Sequence, residues 1–324
     1  MFQVEPILWL QSFESPALTW FFGAVTLLGY MPVYMGLIIV LAFGVKLRPS
    51  LAVLLALLLA SLATGTLKTW AALPRPGDID ARVSQPGQAA SIPVAERGGA
   101  TSFWSPPDPV AVAAIRNRPD ASFGFPSGHV SAAAAFMIAL VVYFRTGSAL
   151  GLALIWVPLI ALSRIYLGRH FLADAVGGVL VGALAGALTA ILVRPGGGRA
   201  GDRASIRWFV PLAALALVLL ATTPFVKWID PDLAGMTIGL ILVFGGAALG
   251  GLPDDGGPPG RRIGRVLLGG CVYLVTYWLV QAALKLAGFE DSRIGVLLGA
   301  VVVTAAMFGG TIALSRRLRL YVPA

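Results

Sequence analysis

The chain has two histidines, His129 and His170. Each stands in company that suits phosphoryl transfer. Asp174 follows His170 by one helical turn, so its carboxylate can take the imidazole Nδ1–H, set the tautomer and leave Nε2 free to attack. His129 closes the run Pro126-Ser127-Gly128, directly before an apolar helix that begins near Val130. Such an entry offers free backbone N–H groups, a hydroxyl and the close approach that glycine permits, which together suit an anion. Lys68 and Arg75 close an earlier apolar stretch, and Arg164 lies ahead of His170. Lysine supplies a point charge, and the two arginines supply planar forks that match phosphate oxygens. Cations, a nucleophilic imidazole, an orienting carboxylate and a second imidazole that can protonate a leaving oxygen make a site that calls for no metal and no cofactor. The expected intermediate is a phosphohistidine on His170, hydrolysed by water that His129 activates.

Taken singly, most of these residues have plainer explanations. Lys68 and Arg75 alone would be snorkelling anchors at a span end. His170 and Asp174 alone would be a structural hydrogen bond. Only the combination turns the reading toward chemistry, because clustered titratable groups mark functional sites. Arg169 is read as a headgroup contact or a surface charge, and Arg116 and Arg118 as solvated charges. The series Gly178-x3-Gly182-x3-Gly186 is read as close helix packing.

These residues need elements to hold them, and the composition says what kind. Of 324 residues, 57% are hydrophobic and 12% charged, with a mean hydropathy of +0.84. Soluble domains are less apolar and about twice as charged. An ordinary soluble enzyme, a disordered chain and a disulfide-stapled module are therefore excluded, the last also because Cys271 is the single cysteine. The first residues lack a basic segment and a small-residue cleavage site, so no signal peptide is expected. The expected fold is an all-α polytopic membrane bundle. Its apolar segments are 17–45, 51–73, 127–145, 150–168, 171–193, 208–226, 233–252, 266–287 and 294–315, all but the longer first near the ~20 residues that cross a bilayer. The first is long and carries Gly23, Gly29 and Pro32, so it is expected to be a shorter span preceded by an interfacial piece. Residues 5–16, with Trp9 and Phe13, suit either an interfacial helix or a plain tail.

The net charge of +9 is spread through short gaps between apolar runs, which speaks for topology and against a nucleic-acid partner. With nine spans, one side of the membrane holds thirteen basic residues but three acidic ones, and this side is expected to be cytoplasmic. The C-terminus then lies inside, and the ends carrying both histidines lie outside. The loop 77–122 is outer, and Trp104 in it is placed to dip among headgroups. The expected division is 1–193, a core with the site; 194–207, a cytoplasmic linker; and 208–324, a four-span region. That last region is read as a structural or dimer-forming bundle, which leaves a homo-oligomer open.

The pattern Lys68-x6-Arg75-Pro76, Pro126-Ser127-Gly128-His129 and Ser163-Arg164-x5-His170-x3-Asp174 resembles the three-part signature of the type 2 phosphatidic acid phosphatase superfamily. That group includes lipid phosphate phosphatases, undecaprenyl pyrophosphate phosphatases, phosphatidylglycerophosphate phosphatases and vanadium haloperoxidases. The resemblance covers roughly residues 60–185 and implies a core of five to six spans, with about four further C-terminal spans outside it. It implies that Lys68, Arg75, Ser127, Gly128 and Arg164 bind phosphate, that His129 is the acid, His170 the nucleophile and Asp174 its partner. The implied activity is hydrolysis of a lipid phosphate or pyrophosphate in a bacterial or archaeal plasma membrane. Polyprenyl pyrophosphate is slightly favoured among candidates that include phosphatidic acid and phosphatidylglycerophosphate. Transfer of the same phosphoryl group to a hydroxyl acceptor is the alternative, and a non-enzymatic transporter or scaffold is a further one.

Overall fold

The computed structural model describes residues 1–87, 92–119, 121–194 and 203–321, without the side chains of 203–208. Residues 195–202 of the expected linker, and 88–91 and 120 of the expected outer loop, lie outside the described residues. Among the described residues, fourteen α-helices follow one another: α1 (Glu5–Gln11), α2 (Pro16–Leu27), α3 (Met31–Gly44), α4 (Leu47–Ala71), α5 (Pro76–Ile79), α6 (Pro109–Arg116), α7 (Gly128–Phe144), α8 (Gly147–Tyr166), α9 (Leu172–Leu192), α10 (Arg203–Thr222), α11 (Pro231–Gly250), α12 (Pro259–Ala287), α13 (Arg293–Ala305) and α14 (Thr311–Arg317). A π-helical turn, Ala306–Gly310, joins the last two. No strand occurs among the described residues.

The chain is an all-helical membrane bundle, and every apolar segment expected from the sequence is helical. Among the described residues, six helical stretches are long and apolar enough to cross a membrane: Leu47–Ile79, α8, α9, α11, α12 and Arg293–Arg317. A seventh arises if α2 and α3 count as one span bent by 56°. The bend falls at residues 28–30, which contain Gly29 and lie two residues before Pro32. Two helices, α7 and the Phe209–Thr222 part of α10, are apolar but shorter.

The described residues form two compact units, interleaved along the chain. The first comprises residues 1–34, 63–141 and 146–185. In it the N-terminal piece is a helix and not a tail. Gln11 of α1 donates from Nε2 to Ser84 O at 2.8 Å and to Tyr166 O at 2.8 Å, and its Oε1 accepts from Ser84 N at 3.0 Å. Phe22, Tyr166 and Leu167 form a buried cluster between α2 and the end of α8. Two glycines set how closely α9 lies on α7. A Cβ on Gly178 would stand 2.8 Å from Ser127 O, and one on Gly182 would stand 2.6 Å from both Ala134 Cβ and Ser131 O. Thr64 on α4 and Ser131 on α7 share a buried hydroxyl pair at 2.7 Å. Small residues and interhelical hydroxyls are what membrane helices use to approach, since lipid tails are as apolar as leucine.

The second unit comprises residues 35–62, 142–145 and 186–324. Its core includes Leu219, Ala234, Ile238 and Leu297, from α10, α11 and α13. Its helix ends are closed by ordinary caps. Asp230 accepts from Asp232 N and Leu233 N, Ser292 accepts from Gly295 N, and Gly288 ends α12 at φ +70°. Arg265, 1% exposed, ties the base of this unit together. It donates to the carbonyls of Phe43, Gly256, Leu320 and Asp255 at 3.0 to 3.3 Å, and its guanidinium lies 4.5 Å from the Tyr321 ring.

Arg265→Met should lower thermal stability in detergent by about 3 kcal/mol, because it strands several buried carbonyls at once. A melting temperature equal to the parent's would show that these carbonyls find other donors.

Candidate active site

The eight predicted site residues all fall in the first unit, at helix ends. Lys68 lies in the last turn of α4, Arg75 directly before α5, Ser127 directly before α7, and Gly128 and His129 in its first turn. Arg164 is in the last turn of α8, His170 in the link to α9, and Asp174 in the first turn of α9.

Local sequence explains the tightest part. Asp174 Oδ2 accepts from Phe171 N at 2.9 Å, so the third residue of α9 reaches back to the N–H just ahead of the helix, as in half of a capping box. The same oxygen meets His170 Nδ1 at 3.2 Å. Helix start and histidine orientation therefore share one carboxylate, and both partners are buried, His170 at 2% exposure and Asp174 at 0%. The backbone adds a tie to the second motif, since Ser127 N donates to Asp174 O at 2.9 Å. Gly124 is required nearby, because a Cβ there would stand 2.9 Å from Asp174 Oδ2 and from Pro74 O.

The cations are held from the loop side. Lys68 Nζ donates to Phe123 O at 2.9 Å and Gly124 O at 3.1 Å. Arg75 donates to Ser122 through its O at 3.3 Å and its Oγ at 2.8 Å. Arg164 Nη1 donates to Thr26 Oγ1 at 2.7 Å. Burial, and then the positive charges of Lys68, Arg164 and Arg75 with His129 beside them, hold the His170 pKa well below its ordinary 6.5. That field means Lys68, Arg75, Arg164 and both histidines converge on one place. His170 is therefore a neutral imidazole at physiological pH, with Nδ1 held and a second nitrogen available.

Five buried polar atoms here have no hydrogen-bond partner among the described residues: Ser127 Oγ, His129 Nε2, Arg164 Nε, Arg169 Nη2 and Asp174 Oδ1. Buried polar atoms are nearly always satisfied, and a cluster of exceptions marks a place built for something else. Three donor types, hydroxyl, imidazole and guanidinium, point to an oxyanion. No group of three metal-ligating side chains is found among the described residues.

Some residues stand otherwise than expected. Arg169 is buried, at 7% exposure, and is not a surface charge. Its Nη1 donates to Gln85 Oε1 at 3.0 Å, and burial followed by the charge of Arg75 lowers its pKa. Adjacency to His170 was the available signal. Arg116 is not merely solvated, since it donates to Ala71 O and Ala72 O at 2.9 and 3.1 Å and so closes the end of α4. Thr26, Gly29 and Tyr30 were not singled out at all. Thr26 holds Arg164, while Gly29 and Tyr30 pack on His129. Nothing in a run of apolar and small residues announces such roles.

Parts of the chain are similar to known proteins. The sequence model of the PAP2 superfamily matches residues 49–196, which contain all eight predicted site residues. A segment of 92 residues is 36% identical to sphingosine-1-phosphate phosphatase 2 of Homo sapiens; it amounts to 26% of this chain and 23% of that protein. The crystal structure of Aquifex aeolicus LpxE aligns with a TM-score of 0.42 at 22% identity, over 59% of this chain and 96% of that one.

In a His129→Ala variant, His170 is the only imidazole in the chain. Its ring nitrogens, read by 15N NMR, should report a neutral ring at pH 6, where a free imidazole would be about three-quarters protonated. A ring that titrates near 6.5 would show the site to be far wetter than described.

Proposed function

We propose that this protein, whose residues 49–196 match the PAP2 superfamily model, is a membrane lipid phosphatase that works through a phosphohistidine. The observation that carries the proposal is the neutral, buried His170, held at Nδ1 by Asp174 in the field of Lys68, Arg75 and Arg164. A lipid phosphate brings its own tail, and burial of that tail supplies about 0.8 kcal/mol per CH₂. Its phosphate oxygens then meet the two arginine forks, the lysine, the Ser127 hydroxyl and the N–H groups at the start of α7. Nε2 of His170 attacks phosphorus, a nitrogen–phosphorus bond forms, and the bond to the lipid oxygen breaks. His129 gives that oxygen its proton. In the second half His129 takes a proton from water, which attacks the phosphohistidine and frees inorganic phosphate. Asp174 keeps the Nδ1 proton in place and balances the positive charge that grows on the ring. The cations act most on the transition state, where charge spreads over the equatorial oxygens.

The substrate class is a phosphate or pyrophosphate ester of a membrane lipid. The human relative is named for sphingosine-1-phosphate, a monoester. An extracytoplasmic site, which the distribution of basic residues supports, suits the pyrophosphate of a polyprenyl carrier. Free-phosphate release from purified protein over a panel of both kinds separates them.

His170→Ala should abolish turnover while the protein stays folded in the membrane, and Asp174→Asn should lower kcat by about 10²- to 10⁴-fold, as when a tautomer-setting carboxylate is lost elsewhere. Substantial activity in His170→Ala would remove the nucleophile from the scheme. Turnover should persist in EDTA and stop with vanadate, which takes the pentacoordinate geometry; a strict need for a divalent ion would contradict the mechanism. In a Cys271→Ser background, a cysteine at Trp104 should label from outside intact cells and one at Arg262 should not. The opposite pattern reverses the orientation.

A further inference from the structure

The two histidines are held in different ways. Asp174 orients His170 through a hydrogen bond. His129 Nε2 is buried with no partner among the described residues, so no hydrogen bond at that atom fixes the ring. Packing holds it instead, from a part of the chain outside the superfamily match.

That part is the break between α2 and α3. The Tyr30 ring meets the His129 ring edge to face, with centroids 4.6 Å apart and planes at 82°. The backbone of Gly29 closes a second side. A Cβ at Gly29 would stand 2.7 Å from His129 Cδ2, 3.2 Å from its Cβ and 3.3 Å from its Cγ, so only glycine leaves the imidazole where it is. The last turn of α2 is tightened, with Leu28, Gly29 and Tyr30 N–H groups donating to Val25, Thr26 and Leu27 carbonyls at 3.0 to 3.2 Å. Thr26 holds Arg164 at 2.7 Å from the same turn. Residues 26, 29 and 30 share one helix face, so a single rigid turn touches both the phosphate-binding arginine and the second histidine.

We propose that Tyr30, seated by the Gly29 backbone, is a positioning residue that aims His129 at the leaving oxygen. The proposal rests on His129 being the proton donor. When the phosphorus–oxygen bond breaks and the nitrogen–phosphorus bond forms, the proton passes from His129 to the departing alkoxide. An alkoxide is too basic to leave unprotonated, so aim matters. A p-nitrophenolate leaves without help, so aim matters little. A residue that merely supported the fold would affect both substrates alike.

The test compares a long-chain alkyl phosphate with p-nitrophenyl phosphate, using full-length protein in detergent. Tyr30→Leu should lower kcat on the alkyl ester by at least about tenfold, short of the roughly 10²- to 10⁴-fold that a general acid contributes in full, and on the aryl ester by less than about threefold. Tyr30→Phe, which keeps the ring, should stay within about twofold of the parent on both. Gly29→Ala, which displaces the imidazole from the backbone side, should reproduce the selective loss. Equal losses on both esters, or no loss in Tyr30→Leu, would overturn the proposal, as would a Tyr30→Phe as impaired as Tyr30→Leu. His129→Ala separates the two levels. If it is selective for the alkyl ester while Tyr30→Leu is not, positioning alone fails; if it is not selective, the assignment of His129 as acid fails, and this proposal with it.

Discussion

One carboxylate oxygen, Asp174 Oδ2, joins the start of a helix to the orientation of an imidazole. It accepts from the Phe171 N–H and faces His170 Nδ1 in a fully buried setting. A carboxylate at that position also sits where the helix dipole favours negative charge. Its own backbone carbonyl takes the Ser127 N–H and so anchors the start of α7. Removing the carboxylate would loosen a helix end and a histidine together. The glycines at 178 and 182 let α9 come close enough to α7 for this tie to form.

Around that point the unit gathers positive charge at the ends of apolar helices. Gathering cations in a place of low dielectric is costly unless something negative arrives. Lys68, Arg75 and Arg164 each have a hydrogen bond to a neutral group, which holds them without neutralising them. The unpartnered donors at Ser127, His129, Arg164 and Arg169 lie in the same neighbourhood. A tetrahedral oxyanion answers both the charge and the donors.

Arginine serves the second unit differently. Arg265 and Arg293 spend their donors on carbonyls, Arg293 on those of Thr223, Val226 and Ile229. Among the described residues of that unit, the buried side-chain atoms without partners are hydroxyls: Thr223, Thr311, Ser315 and Tyr321. Satisfied guanidiniums close helix ends and stabilise. In the first unit, Arg164 Nε and Arg169 Nη2 are buried without a partner among the described residues.

Hydropathy alone located the helices long and apolar enough to cross a membrane, because a bilayer demands long apolar runs whose backbone is satisfied within the segment. Residue type and spacing alone picked out His129, His170, Asp174 and the three cations, because ionisable groups at span ends are rare enough to stand out. Burial of Arg169, the capping of α4 by Arg116, and the packing of Gly29, Tyr30 and Thr26 on the site were decided only by the folded chain. These depend on residues far apart in sequence meeting at one place, and on a 56° bend that turns an otherwise ordinary helix end toward His129. Periodicity reports which residues avoid water. Which neighbour a side chain touches is settled by tertiary packing, where a single Cβ is enough to keep two groups apart.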